Sequence, residues 1–251
     1  MNEIIKWLKK YSSISRLKTF VIGISGGIDS ALTSTLCAET GVNTILVSMP
    51  IHQNKNELTR AHNHIKWLKS KYENVSSMEI NLSHVFESFE ILFADNENKL
   101  ALANSRARLR MTTLYQIAQT NNGLVVGTGN KVEDFGVGFF TKYGDGGVDI
   151  SPLGDLMKSE VRGMAKELGV NKEILEASPT DGLWGDDRTD EDQLGATYDE
   201  LEWAMMVPME EFKEYSSWSD RKKEVWKIYN RFNDINKHKM DPIPVFIKNR
   251  K

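Results

Sequence analysis

The chain of 251 residues is long enough to bury a sizeable core, and its 40% hydrophobic and 27% charged residues are those of an ordinary globular protein. A formal net charge of −3 and a pI of about 6.0 argue against bulk attraction to nucleic acid or to an anionic membrane. The single cysteine, Cys37, excludes an internal disulfide framework and any CxxC motif, and no apolar stretch approaches the roughly 18–20 residues that span a bilayer.

The N-terminal stretch MNEIIKWLKKYSS is amphipathic and too charged for the apolar region of a signal peptide, which points to a cytoplasmic enzyme. Strand-like and helix-like runs then alternate. Short Val/Ile/Leu-rich segments at 19–25, 43–49, 74–81 and 123–129 read as strands, and helical patterns fill 29–40, 55–71 and 97–120. Strands separated by helices predict βαβ units, hence an α/β fold: a doubly wound, mainly parallel sheet with helices on both faces. Ligands of such sheets sit beyond the carboxyl ends of the strands. A further helix is expected over 156–168, opening at Asp155 and closing at Gly169. From Pro179 to Asp192 six acids stand against one arginine with no apolar periodicity, so a mobile surface loop is expected there. Residues 193–238 look helical and lead into a basic, proline-punctuated tail.

After the first strand the chain reads SGGIDS. It lacks the lysine of a Walker loop and the glycine register of a dinucleotide fingerprint. It does supply hydroxyls, Ser25 and Ser30, around backbone amides at a helix start, which bind phosphate through their N–H groups and the helix dipole. Gly26 and Gly27 alone would also suit a plain tight turn. A lone carboxylate, Asp29, beside a phosphate demands a cation between them, and Mg²⁺ takes one or two carboxylates plus substrate phosphates. An acid in a first helical turn is equally what the dipole favours.

Three later stretches carry more chemistry. In NSRARLRM, Asn104 and Arg108 are four apart and share a helix flank, where an amide and a guanidinium suit a phosphate or an acid group, or form part of a solvated charge run. GTGNKVE places Thr128 and a second acid, Glu133, at a strand tip. FFTKYGDGG has more glycine than a core strand tolerates, so it is a binding loop or a disordered one. Lys158, in a first helical turn where the dipole disfavours cations, faces either a bound phosphate or solvent. The five histidines form no metal site, since His62 and His64 point to different sides of a helix.

SGGIDS resembles the pyrophosphate loop of the ATP pyrophosphatases, which cleave ATP to AMP and pyrophosphate and share an adenine-nucleotide alpha-hydrolase-like, Rossmann-like fold. Within that group the ordered set GISGGIDSA, NSRARLRM, GTGNKVED, GFFTKYGDGG, SPLGDLMKSEVR, SPTDGL, DEDQLGATYDELE and HKMDPIP is similar to the ammonia-dependent NAD synthetases over nearly the whole chain. The resemblance implies an ATP site at Ser25, Gly26, Gly27, Asp29, Ser30, Thr128, Lys158 and Thr180. It implies magnesium on Asp29 and Glu133, and Asp29 and Lys158 as the catalytic pair. It places deamido-NAD⁺ at Asn104, Arg108, Phe139, Lys142, Asp145, His238 and Lys239, in a homodimer that takes ATP, deamido-NAD⁺ and ammonia. It fills residues 1–251 with a single synthetase domain and leaves no segment for a glutaminase. Two departures stand out. Many relatives carry an arginine before the proline at the second strand's tip, where this chain has Ser48 and Met49, and one extra residue separates Glu133 from GFF.

The implied chemistry activates the nicotinate carboxylate as an acyl-adenylate, which ammonia then opens. No protein nucleophile is required, and Cys37 reads as a small core residue. A tRNA-modifying or GMP-forming ligase with the same loop is the enzymatic rival; a tRNA enzyme would bring a basic face and sulfur insertion further cysteines, and this chain has neither. A non-catalytic adenine-nucleotide sensor would need no Asp29–Glu133 pair.

Overall fold

A computed structural model describes residues 1–94, 98–180, 189–208 and 215–248. Four strands, β1 (Thr19–Gly23), β2 (Asn43–Ser48), β3 (Val75–Glu79) and β4 (Gly123–Val125), form one sheet in the order β3-β2-β1-β4, every pair parallel. Side chains alternate faces with the strand period of two. Phe20 and Ile22 of β1, Leu46 of β2 and Leu124 of β4 point into one core; Val21, Val47 and Val125 point into the other. The first core is covered by α1 (Asn2–Ser15), α2 (Ile28–Glu39), α3 (Lys55–Lys71) and α6 (Lys158–Glu167), the second by α4 (Ser83–Ile91) and α5 (Lys99–Thr120). The doubly wound α/β architecture is therefore the one the residue patterns predict.

The crossovers run outward from β1 through β2 to β3, and the chain then returns to lay β4 on β1's other side. The strand order reverses between β1 and β4, and a crevice opens at their carboxyl ends. SGGIDS leaves one of those strands and GTGNKVE the other.

Some boundaries differ from expectation. The fourth strand stops at Val125, after which Val126 makes a single bridge to Ile150. Asp155 does not open α6: the Met157 N–H donates to the Glu160 carboxylate at 2.8 Å, while Asp155 pairs with Lys131 at 2.8 Å. After a short α7 (Lys172–Leu175), the helical C-terminal stretch is divided into α8 (Asp190–Leu194), α9 (Tyr198–Met206) and α10 (Asp220–Met240), interrupted by Gly195 at φ +79° and restarted by the Thr197 and Ser219 caps. These helices pack on a π-helical turn, Val132–Val137, as a third core around Tyr198, Leu201 and Val225. Much of the loop expected over Pro179–Asp192, residues 181–188, lies outside the described residues. No helix among the described residues is long and apolar enough to cross a membrane.

Candidate active site

The turn after β1 is built by its own hydroxyls. Ser25 Oγ accepts from the Gly27 amide at 3.1 Å and lies 3.1 Å from Ser30 Oγ, which donates to the Gly27 carbonyl at 2.9 Å. The first amides of α2 have no helical acceptor and face the crevice. Gly26 is required twice over: its φ is +90°, and a Cβ there would lie 2.4 Å from the Glu57 carbonyl oxygen. Helix α3 and the residue before its cap clamp the turn further, with Gln53 Nε2 donating to the Ser25 carbonyl at 3.1 Å and Arg60 Nε to the Gly26 carbonyl at 3.2 Å. Thr180 is held beside it, donating its hydroxyl to Glu57 at 2.8 Å.

Asp29 and Glu133 converge on one cation. Lys158 Nζ is 2.6 Å from Asp29 Oδ2 and 2.8 Å from Glu133 Oε1, with its side chain only 2% exposed. The lysine at the α6 start is thus neither solvent-facing nor unpaired. Burial alone would depress it; the two carboxylates reverse that and hold it above its usual value. Glu133 is raised by burial, but Lys158, the Tyr198 hydroxyl at 2.5 Å and Asn130 outweigh this and keep it low. At Asp29 burial prevails over Lys158 and pushes the carboxyl up. Asn130, fully buried, donates to Asp29 at 3.1 Å and accepts from the Val132 and Glu133 amides at 3.1 and 3.2 Å. Tyr198 also offers its ring to Lys158 Nζ at 4.6 Å from the centroid. Two carboxylates and one ammonium leave one negative charge, and their hard oxygens suit Mg²⁺ completed by substrate phosphates. The donor set fits such an ion. Among the described residues no group of three or more metal-ligating side chains gathers.

The segment between Glu133 and GFF forms a π-helical turn, Val132–Val137. The turn ends at Gly138, φ +62°, where a Cβ would meet Asn236 Cβ at 2.4 Å. The glycine-rich loop that follows is ordered. Asp145 accepts from the Thr141 amide at 2.9 Å, and a Cβ at Gly146 would lie 2.4 Å from the Phe140 ring. Its glycine density comes from close packing, not from disorder. Thr141 donates to Asn104 Oδ1 at 2.6 Å and Arg108 Nε to the Lys142 carbonyl at 3.3 Å, so α5 holds the loop through the flank that the spacing predicts. Helix α10 closes the other side: Lys142 Nζ donates to the His238 carbonyl at 2.5 Å and Lys239 Nζ to the Phe140 carbonyl at 2.7 Å.

A single cleft of about 670 Å³ is lined by Ser25, Gly27, Asp29, Ser30, Thr128, Glu133, Lys158 and Thr180 at one end. Asn104, Arg108, Phe139, Lys142, Asp145, His238 and Lys239 line the other. Of the residues singled out in the sequence only Gly26 is outside the lining, behind the turn that it permits.

The NAD synthase family matches residues 1–242, nearly the whole chain. The chain belongs to the NAD synthase family. It is 41% identical over 211 residues to the NH₃-dependent NAD⁺ synthetase of Mesoplasma florum, covering 80% of this chain and 82% of that one. Among solved structures it superposes on an NMN synthetase from Francisella tularensis with a TM-score of 0.83 at 33% identity, covering 97% and 95% of the two chains. The NH₃-dependent NAD synthetase from Campylobacter jejuni gives 0.76 at 25% identity, covering 98% and 97%. NAD synthases are ligases that form a carbon–nitrogen bond, and this chain is one of them.

Several residues of this NAD synthase cleft escape a reading of the sequence. Asn130 and Tyr198 hold the two carboxylates, Tyr198 from 65 positions away. Asp134 also lines the cleft, and burial together with Glu133, Asp145 and Asp29 pushes its carboxyl well up. Arg60 and Arg110 reach the cleft from α3 and α5. Arg110 donates Nε to the Met49 carbonyl at 3.1 Å, bringing a guanidinium to the β2 tip although that tip has no arginine of its own. The only signal in the sequence for Arg110 is its place on the α5 motif, two residues beyond Arg108.

Proposed function

We propose that this cleft amidates deamido-NAD⁺ with ammonia, consuming ATP and releasing NAD⁺, AMP and pyrophosphate. The observation that carries the reading is the joining, in one cleft, of an anion-binding helix start and a glycine-rich loop flanked by Arg108, Lys142 and Lys239, whose hydrogen bonds go to main-chain carbonyls. The α2 amides and Ser25 hold the pyrophosphate end of ATP, and Thr128 and Thr180 flank it. The nicotinate carboxylate attacks the α-phosphorus: a C–O–P bond forms, a P–O–P bond breaks, and the electron pair leaves with pyrophosphate. Ammonia then attacks the acyl carbon, and AMP departs as nitrogen loses its proton.

Lys158 meets charge as it accumulates on the leaving group, already preorganised by the carboxylates that hold it. Asn130 and Tyr198 fix those carboxylates in place. Mg²⁺ held by Asp29 and Glu133, when bound, neutralises the departing pyrophosphate. Arg108, Lys142 and Lys239, whose hydrogen bonds go to neutral carbonyls, face the dinucleotide phosphates, with Asn104, Phe139, Asp145 and His238 completing its pocket.

Residues 1–251 act as one synthetase unit using free ammonia, in keeping with the ammonia-dependent relatives that the chain matches. The working form is a homodimer. Leu100 (59% exposed) lines the cleft, and α4 and its end also expose apolar side chains, Val85, Ile91 and Leu92, which suit burial against a second copy. Sedimentation should give twice the chain mass, and a fully active monomer would refute the dimer.

Incubation with Mg-ATP, ammonium and deamido-NAD⁺ should release AMP and pyrophosphate in equal amounts, dependent on the dinucleotide; ADP, or no product, would contradict the reading. A second reading is favoured by the 0.83 superposition on an NMN synthetase: the acid substrate is the mononucleotide. Faster turnover of nicotinic acid mononucleotide than of deamido-NAD⁺ in the same assay would select it.

A further inference from the structure

Arg110 stands at the seam between the two ends of the cleft. Its guanidinium is largely buried, and its plane is fixed by the Nε–H bond to the Met49 carbonyl at 3.1 Å. Among the described residues its two terminal amino groups have no hydrogen-bond acceptor. Both carboxylates that act on it are engaged elsewhere. Glu57, from the ATP end, accepts from Gln53 at 3.3 Å and from Thr180 at 2.8 Å; Asp145, from the loop end, accepts from the Thr141 amide at 2.9 Å. Burial, and the like charge of Arg106, push Arg110 down to about 10, so the group stays cationic at neutral pH.

A desolvated cation without a partner is unfavourable, and a guanidinium fork matches phosphate and carboxylate oxygens two at a time. Its position also matters. Under the function proposed above, on which this inference rests, a phosphate of one substrate and a carboxylate of the other must approach each other, and both are anions.

We propose that Arg110 is a catalytic residue of this site, its two amino groups binding the anionic oxygens at the seam, those of the ATP α-phosphate or of the carboxylate that attacks it. The fork offsets the repulsion between the reactants and receives the charge that spreads over the phosphoryl oxygens as the new C–O–P bond forms and the pyrophosphate bond breaks. No proton moves in that step. The Met49 carbonyl positions the fork; the open amino groups act.

The test uses Arg110→Gln, Arg110→Lys and Arg110→Ala, with melting curves to establish folding. Arg110→Gln should lower kcat/KM about 10²–10³-fold, the size of losing a preorganised donor to a developing oxyanion. Arg110→Lys keeps the charge and most of the bulk but should recover only part of this, because the fork is gone. Guanidinium chloride at low millimolar concentration should raise the turnover of Arg110→Ala, which restored packing alone would not do. Equilibrium dialysis separates the sources of the anion. Weakened Mg-ATP binding identifies the phosphate, weakened deamido-NAD⁺ binding the carboxylate, and either supports the proposal. A folded Arg110→Gln or Arg110→Lys protein within about threefold of the unsubstituted enzyme in kcat/KM, and in both dissociation constants, would overturn it. Absence of AMP release by the unsubstituted enzyme would defeat the functional reading instead, and the role of Arg110 would then stand or fall on Mg-ATP binding.

Discussion

The two ends of the cleft handle charge in opposite ways. At the end built by SGGIDS the cation is matched by carboxylates: Lys158 lies on Asp29 and Glu133, themselves fixed by Asn130 and Tyr198. At the loop end the cations rest on neutral main-chain carbonyls, Arg108 on Lys142, Lys142 on His238 and Lys239 on Phe140. A carbonyl orients a cation without cancelling its charge. The first arrangement ties its cation to two acids and keeps one negative charge, and the second leaves positive charge available to an anion.

The contrast is broken most severely at its centre. Lys158→Met strands two buried carboxylates and should cost about 3–5 kcal/mol in chemical denaturation, with turnover lost. Millimolar Mg²⁺ should restore part of the loss. A melting point unchanged in both conditions would show that the carboxylates do not depend on the lysine.

Acid should attack the packing of α3 against α2. His64 is buried under α2, its Nε2 2.9 Å from Ser34 Oγ, and burial lowers it from 6.5 to about 4. The unfolded chain therefore binds this proton first. The stability from neutral His64 is intact above pH about 6.5 and is lost as pH falls toward about 4, by about 3 kcal/mol. His64→Gln should flatten denaturation midpoints over that window, and an unaltered slope would remove His64 as the cause.

Gly26→Ala places a Cβ at φ +90° against the Glu57 carbonyl, and strain of about 1–3 kcal/mol should accompany a raised KM for ATP with little change for deamido-NAD⁺. Equal effects on both would mean that the turn does not belong to ATP alone. The smallest effect on stability is expected at the loop end: Lys142→Met should stay within about 0.5 kcal/mol of the unsubstituted protein. Its KM for the dinucleotide should rise about tenfold, the equivalent of 1.4 kcal/mol. A large loss of stability would show that this lysine is structural after all.

How far the sequence foretells each end follows from the range of the contacts. SGGIDS is local: hydroxyls, glycines and the helix start are within six residues, and the strand period places them at the sheet edge. The α5 flank is equally legible, since Asn104 and Arg108 are one helical turn apart. The partners of Glu133 are not, because Lys158 and Tyr198 reach it only after the chain has added α6 and α9. Arg110 was hidden for a related reason. A guanidinium on a helix face carries no mark of which strand tip it will meet, and the Met49 carbonyl that fixes it is 61 positions away. Helix α4 is not legible because three of its four apolar residues, Val85, Phe89 and Ile91, remain exposed, which blurs a one-sided stripe.

The central claim is that the two ends meet at a carboxylate and a phosphorus. Deamido-NAD⁺ labelled with ¹⁸O in its carboxylate, turned over with Mg-ATP and ammonium, tests it most directly. Attack on the α-phosphorus predicts one label in the phosphate of AMP and none in pyrophosphate. Label in pyrophosphate, or AMP free of label, would contradict the account.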